Sequence, residues 1–387
     1  MAASREVRRI LVCKFRSPGD VLLLVPALKA LKRGFPEASI TAAVNADCAP
    51  LIELHPAVDR VLGYARGPRE GSWLVRAGLE LAYFRQAARR FDLAVNATEG
   101  DRGTLLTLVS GARLRVGLDQ AGTGARALKR RLYTHLLPPW PKGRHNVLCN
   151  LDLVGLLGID TSDRAVELAT SAEDDEAVRQ ALEREGIGEG EPLVHVHAPS
   201  RPYKRWTLEG MAEVIDFLQL ERGLRVALSG APPERPYVEG IAQLCRCHHG
   251  RSRPAVLAGR LSLRQTGALA RRASLFFGVD TVAMHLAAAA GTPVVALFGP
   301  SVATAWGPWD NAGPQAPYHG PSGVQHSGPH VIIQPSKACV QPARACVPCG
   351  NMGCGRSGRS ACLEELTSAE VIPVLDAALT RHLPRLA

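Results

Sequence analysis

Apolar residues in this chain fall into short, nearly unbroken runs separated by stretches where they recur every three or four positions. The runs at 7–15, 39–44, 60–64, 93–97 and 114–118 have the length and β-branched content of strands buried on both faces. Between them, residues 21–33, 79–90 and 104–109 show helical periodicity, with Pro26 near the first turns of the earliest helix, where a missing N–H is tolerated. This alternation predicts a mainly parallel sheet. Residues 66–76, with the core GPREGS and Arg66, Arg69 and Arg76, interrupt the pattern and read as a basic loop.

A second series follows the acidic, helical stretch 172–185 and the glycine-bearing 186–190. Strands are expected at 193–197, 224–229, 255–258, 275–278 and 293–298, and helices at 208–221, 238–245, 263–272 and 282–290. The fold class is therefore α/β with two doubly wound domains. The first spans 1–180 and the second 190–335, and a cysteine-rich tail with a C-terminal helix occupies 336–387. Past Trp309 the chain is rich in Gly, Pro and Ser and reads as loop until the helix pattern at 368–383.

In open parallel sheets ligands bind beyond the carboxyl ends of the strands, where helix N-termini offer free N–H groups to phosphate. Four such ends carry suitable chemistry. LFFGVDTVAMHLAAAAGTPVVALFGP places Asp280, Thr281, Met284 and His285 after one strand. The alanines that follow, and Gly291, suit close packing of helix on sheet. HVHAPSRPYKRW sets Ser200, Lys204, Arg205 and Trp206 after another, a hydroxyl and cations for phosphate oxygens. LSGAPPE sets Gly230 and Glu234 after a third, where a carboxylate can take ribose hydroxyls. In the first half, KFRSPGD delivers Asp20, either a general base beside a cleft or an ordinary helix N-cap. There is no GxGxxG turn and no Walker loop, so nicotinamide and P-loop chemistry are not expected. A nucleotide-sugar site is the economical reading.

Charge narrows the partners. Lysine and arginine number 46 against 36 acids, a net +10, which implies a polyanionic partner or an acidic membrane surface. Aromatics make up 5% of the chain and are not interleaved with the basic clusters, so nucleic acid is not expected. No apolar run reaches the roughly 18 residues of a membrane span, and the amino-terminal stretch has no secretory core. A cytoplasmic protein with reduced thiols is expected.

Taken together, these motifs resemble the heptosyltransferases of glycosyltransferase family 9. The Gly-Asp turn with a Val-Leu-rich helix and Pro-Ala-Leu lies at 19–28, Lys-x-Trp at 204–206, and Asp-Thr-x-x-x-His before an alanine-rich helix and Gly-Thr-Pro at 280–293. The match runs over about 8–310 and is most similar to the heptosyltransferase III branch, through GDVLLLVPALKALKRGFPEASI and FGPSVATAWGPWDN. The resemblance implies a GT-B architecture, two Rossmann-like domains facing across a cleft. It also implies inverting transfer of heptose from ADP-heptose to the lipopolysaccharide inner core, with no cofactor required for transfer. By the same similarity Asp20 is the base, and Ser200, Lys204, Glu234, Asp280, Thr281, Met284 and His285 contact the donor. Val282 stands where family members often have Gly, and Pro199 where a hydroxyl residue is common.

With a phosphorylated glycolipid as acceptor, Arg66, Arg69, Lys142 and Arg144 are expected to hold its anionic core. The basic surface would keep the enzyme peripherally at the cytosolic face of the inner membrane. Cys346, Cys349, Cys354 and Cys362, with Cys339 close by, have a spacing that can chelate a structural zinc, or they are reduced thiols. Cys245, Cys247, His248 and His249 read as mobile surface residues at a helix end. Two other functions fit parts of the pattern. One is a nucleotide-sugar epimerase or hydrolase of GT-B fold, the other a metal- or redox-responsive ligand-binding protein built on the tail.

Overall fold

The structure, a computed structural model, describes residues 7–65, 73–119, 130–247, 253–313, 318–335, 346–355 and 357–383. By packing, the chain divides into two units, Met1–Ala169 and Thr170–Ala387.

The first unit holds a six-stranded sheet in the order β3-β2-β1-β4-β5-β6. Its strands are β1 Arg9–Lys14, β2 Ser39–Asn45, β3 Arg60–Tyr64, β4 Leu93–Asn96, β5 Leu114–Leu118 and β6 His135–Leu137, and every pairing is parallel. The second unit holds seven strands in the order β12-β13-β11-β10-β7-β8-β9. These are β7 Leu193–His197, β8 Arg225–Leu228, β9 Ala255–Val256, β10 Leu275–Val279, β11 Val294–Leu297, β12 Gly323–Ser327 and β13 His330–Gln334. All pair in parallel except the β12–β13 hairpin. Strand order reverses at β1/β4 in one sheet and at β7/β10 in the other, the switch points where doubly wound sheets open a crevice. At the second of these the backbones approach closely. A Cβ on Gly278 would lie 2.4 Å from the His197 carbonyl oxygen, so that position in β10 has room for hydrogen alone.

Several elements differ from the sequence expectation. The helix expected over 21–33 is two, Pro18–Leu22 and Val25–Gly34. Pro26 cannot donate to Leu22 and takes the second position of a new helix instead, where no N–H is needed. The helix expected at 79–90 is Trp73–Arg85, so Arg76 belongs to a helix and not to the basic loop. Arg66 and Arg69 lie outside the described residues. Strand β6 and helix Asn146–Gly155 fall in a stretch for which no element was expected, and the β12–β13 hairpin in one read as loop. The hairpin's alternating half-exposed pattern in β12 gave a weak period beside the fully buried β13.

The boundary also moves. Helix Ala172–Arg184 was expected to end the first domain, yet it packs in the second unit, where Arg264 and Arg271 bond Asp174 and Asp175. Its acidic first turn, capped by Ser171, offers the carboxylates those arginines need. The C-terminal helix Ser368–His382 is as expected and buries Val371, Leu375, Ala378 and Leu379 in the second unit's core. Among the described residues no helix is long and apolar enough to cross a membrane.

Candidate active site

Strand β1 ends on Lys14, and Pro18 starts the next helix after a three-residue turn. Asp20 sits in the first turn of this helix with its side chain buried. It is not the N-cap, which is Ser17 in extended conformation. The Ser17 hydroxyl donates to Asp20 Oδ2 at 2.5 Å, and Arg16 Nε lies 3.6 Å from Oδ1. Arg16 also stands 4.0 Å from Glu99, beyond β4 on the other side of the switch point. Behind the carboxylate, the buried Lys14 ammonium donates to Asn150 Oδ1 at 3.1 Å, and Asn150 in turn donates to the Leu23 carbonyl at 3.0 Å. Burial pulls the Lys14 pKa down, and the nearby Asp20 charge opposes that shift. A carboxylate fixed by a hydroxyl and flanked by cations can receive a proton without moving. Lys14 and Asn150 were not among the residues singled out in the sequence. A lysine closing an otherwise apolar strand was the available signal.

In the second unit the loops after β7 and β10 flank the switch point. Lys204, in the short turn Pro202–Lys204, donates to Asp280 Oδ2 at 2.5 Å. Asp280 is almost fully buried and Lys204 a quarter exposed. Thr281 is the N-cap of helix Val282–Ala289, but its side chain caps nothing. Its Oγ1 is buried and without a hydrogen-bond partner among the described residues, a buried hydroxyl of the kind a bound ligand satisfies. The helix ladder begins with His285 N–H bonding the Thr281 carbonyl, which leaves the preceding N–H groups aimed at the strand end. Met284 and His285 are buried one turn on. Ala283, Ala287 and Ala288 pack against Phe276 and Phe298, the close helix-to-sheet contact expected of them.

The other expected donor contacts are placed less directly. The Ser200 carbonyl accepts from Arg205 Nε at 2.7 Å, and the Arg205 guanidinium lies 4.5 Å from the Tyr237 ring centroid. Glu234 follows β8 and accepts the Ala231 N–H at 2.8 Å, so one of its oxygens closes its own turn. Trp206 is an anchor: its Nε1 donates to the Leu366 carbonyl at 2.8 Å and its ring stands edge-on to Phe277.

Three residues under this site escaped the sequence reading. Ser229 Oγ lies 2.6 Å from His195 Nε2 and 2.7 Å from His197 Nδ1. Burial lowers His195 to a pKa of about 3 and His197 to about 4, with His197 adding to the shift on His195. Both are held neutral when folded, while an unfolded histidine titrates near 6.5. Their contribution is full above that value and is lost as pH falls from about 6.5 toward about 4, where the unfolded chain binds more protons. Stability should therefore drop in this window, by up to about 1.4 kcal/mol per pH unit for each histidine. Melting curves of wild type and His195→Phe between pH 7 and pH 4.5 check this. An equally steep acid loss in the variant would count against the pair.

Of the expected acceptor residues, Lys142 is exposed. Arg144, partly exposed, is forked onto Asp152 at 2.5 and 2.7 Å. Cys245 and Cys247 are corrected, from surface residues to buried ones. Asp216 draws this helix end inward by accepting the N–H groups of Arg246 and Cys247 at 3.0 and 3.1 Å. Asp216, Cys245 and Cys247 bring their ligand-type atoms within 4.8 Å of one another. Burial pushes the Cys245 thiol up to about 12. His248 and His249 lie outside the described residues. In the tail, Cys346, Cys349 and Cys354 each push up the Cys362 thiol after burial has done so, to about 12. Cys339 lies outside the described residues.

Comparison with known proteins follows the same line. The model of glycosyltransferase family 9 (heptosyltransferase) matches residues 82–316. Lipopolysaccharide heptosyltransferase 3 of Escherichia coli strain K12 is 30% identical over 298 residues, 76% of this chain and 83% of its own length. Among solved structures, a family 9 glycosyltransferase from Veillonella parvula superposes with a TM-score of 0.74 over 97% of both chains at 20% identity. E. coli heptosyltransferase WaaC with ADP gives 0.68 over 96% of this chain and 99% of its own at 21% identity. The resemblance to the heptosyltransferase III branch and the GT-B fold both stand, and this chain belongs to glycosyltransferase family 9, the heptosyltransferase family.

Proposed function

We propose that this chain transfers heptose from ADP-heptose to the inner core of lipopolysaccharide, with inversion at the anomeric carbon. The Lys204–Asp280 pair beside the unpartnered Thr281 hydroxyl, at the β7/β10 switch point, is the observation that carries the donor half. Lys204, Thr281 and the N–H groups at the start of helix Val282–Ala289 take the diphosphate, and Met284 and His285 line its inner side. Ser200 and Glu234 complete the contacts to phosphate and ribose. In the first unit Asp20 accepts the proton of an acceptor hydroxyl. The oxygen attacks the anomeric carbon as the bond from that carbon to the diphosphate oxygen breaks, and ADP leaves with its charge met by Lys204. The first unit binds the acceptor, whose phosphates meet Lys142, Arg66 and Arg69. No metal is assigned to the transfer step.

The test is ADP release by the purified protein, supplied with ADP-heptose alone or with lipopolysaccharide from a heptose-deficient strain. The expected result is release that depends on the acceptor. Conversion of ADP-heptose at an equal rate without acceptor would favour an epimerase or hydrolase.

The tail supports a second, structural assignment: Cys346, Cys349, Cys354 and Cys362 as ligands of one zinc ion. Each of the other three cysteines acts electrostatically on the Cys362 thiol, and four thiolates suit a closed site. The segment is tied to the donor loops by Gly350 N–H on the Pro300 carbonyl and Ser360 Oγ on the Tyr203 carbonyl. Stoichiometric zinc in protein purified without chelator is expected, and Cys349→Ser should lose the metal and melt lower. Absence of metal from folded wild type would leave these residues as reduced thiols.

A further inference from the structure

Helix Trp73–Arg85 is held to the core by Tyr83 and Phe84 and turns its other large apolar side chains to solvent. Trp73, Leu74, Val75, Leu79 and Leu81 are 69%, 61%, 56%, 51% and 53% exposed, and on the adjoining helix Asp101–Val109 so are Leu105 and Leu108, at 46% and 49%. The two helices lie side by side. Arg102 reaches the Tyr64 hydroxyl at 2.9 Å and Glu80 at 3.2 Å, and the Arg89 N–H donates to the Val109 carbonyl at 3.0 Å. Seven of the twelve exposed large hydrophobics among the described residues belong to this pair. Scattered exposed leucines need no explanation, but such a concentration marks an interaction surface.

Its charge is one-sided. Arg76, Arg85, Arg89 and Arg90 are exposed along and just beyond the first helix. Its one acid, Glu80, is taken by Tyr64 and Arg102, and Asp101 opens the second helix. A second copy of the chain fits poorly, because a two-fold contact would set these arginines against themselves. An anionic bilayer fits both halves of the pattern. Tryptophan and leucine enter the headgroup boundary, and arginines at the same level meet lipid phosphates.

We propose that the outer face of helices Trp73–Arg85 and Asp101–Val109 is the surface by which this protein docks on an anionic membrane. The proposal rests on the reading that the acceptor is a membrane glycolipid. By this docking the first unit is brought to the bilayer that presents its substrate.

Flotation with phosphatidylglycerol-containing vesicles, with pure phosphatidylcholine vesicles as control, tests it on the full chain. Wild type should float with the anionic vesicles. Trp73→Ser combined with Leu79→Ser should lower binding on the order of tenfold or more, as should Arg76→Glu combined with Arg85→Glu. These positions are exposed, so unchanged melting confirms folding. The Trp73→Ser, Leu79→Ser variant should also show a raised KM for vesicle-embedded lipopolysaccharide and unchanged kinetics on the deacylated, soluble core. Failure of wild type to float would overturn the proposal, as would undiminished flotation of both variants or a wild-type dimer that these substitutions dissociate. Flotation needs no acceptor, so a wild type that floats but transfers nothing to the deacylated core leaves the docking surface standing and counts against the proposed function alone.

Discussion

Replacing Asp20 by asparagine should cut turnover by on the order of 10²–10⁴, with ADP affinity nearly unchanged. The substitution keeps the volume, and an amide oxygen can still accept from Ser17, whose hydroxyl now donates to Asp20 Oδ2. What it removes is the capacity to take a proton. ADP affinity is unaffected on this account because the proposed diphosphate contacts, Lys204 and Thr281, belong to the other unit. Asp20→Ala should lose as much turnover and also leave the neighbouring Lys14 and Arg16 charges less balanced. Steady-state rates with calorimetry for ADP check both variants, and near-wild-type turnover in Asp20→Asn would remove Asp20 as the base.

Lys204→Ala should weaken ADP binding roughly tenfold to a hundredfold, the scale of a charge-assisted hydrogen bond of about 1.5–3 kcal/mol. It should also lower the melting temperature without ligand, because Asp280 is buried and loses the ammonium that answers its charge. Pairing it with Asp280→Asn separates the two effects. Neutralising the stranded carboxylate should restore part of the stability, while ADP binding stays weak because the cation is still missing. Calorimetry with ADP and UDP on wild type and both variants reads this directly. Unchanged ADP affinity in Lys204→Ala would reduce the pair to a packing feature.

The architecture was legible in the sequence wherever strands are buried on both faces. The apolar runs at β1, β7, β10 and β11 stand out because no alternation dilutes them. Strand β6 was not, being three half-buried residues, nor was β12, whose alternation suits an antiparallel edge outside the βαβ series. Asp20, Lys204, Asp280 and Thr281 could be found because each follows a recognisable strand into a turn. The long-range pairings could not, since their partners are distant in sequence. Asn150 reaches Lys14 across 136 residues, and Lys204 meets Asp280 across 76. The fork of Arg144 on Asp152 was illegible for the same reason, since it depends on helix Asn146–Gly155, which was not anticipated. Cys245 and Cys247 misled through polarity, since a CRCHH run looks exposed until Asp216 captures its N–H groups.

The most direct test of the central claim is mass and NMR analysis of the product formed by the purified protein from ADP-heptose and heptose-deficient lipopolysaccharide. The account predicts one heptose added to the inner core per ADP released, in the anomeric configuration opposite to the donor's, and no product with Asp20→Asn on the same timescale. Retention of the donor's configuration, or ADP released with no heptose on the acceptor, would contradict it.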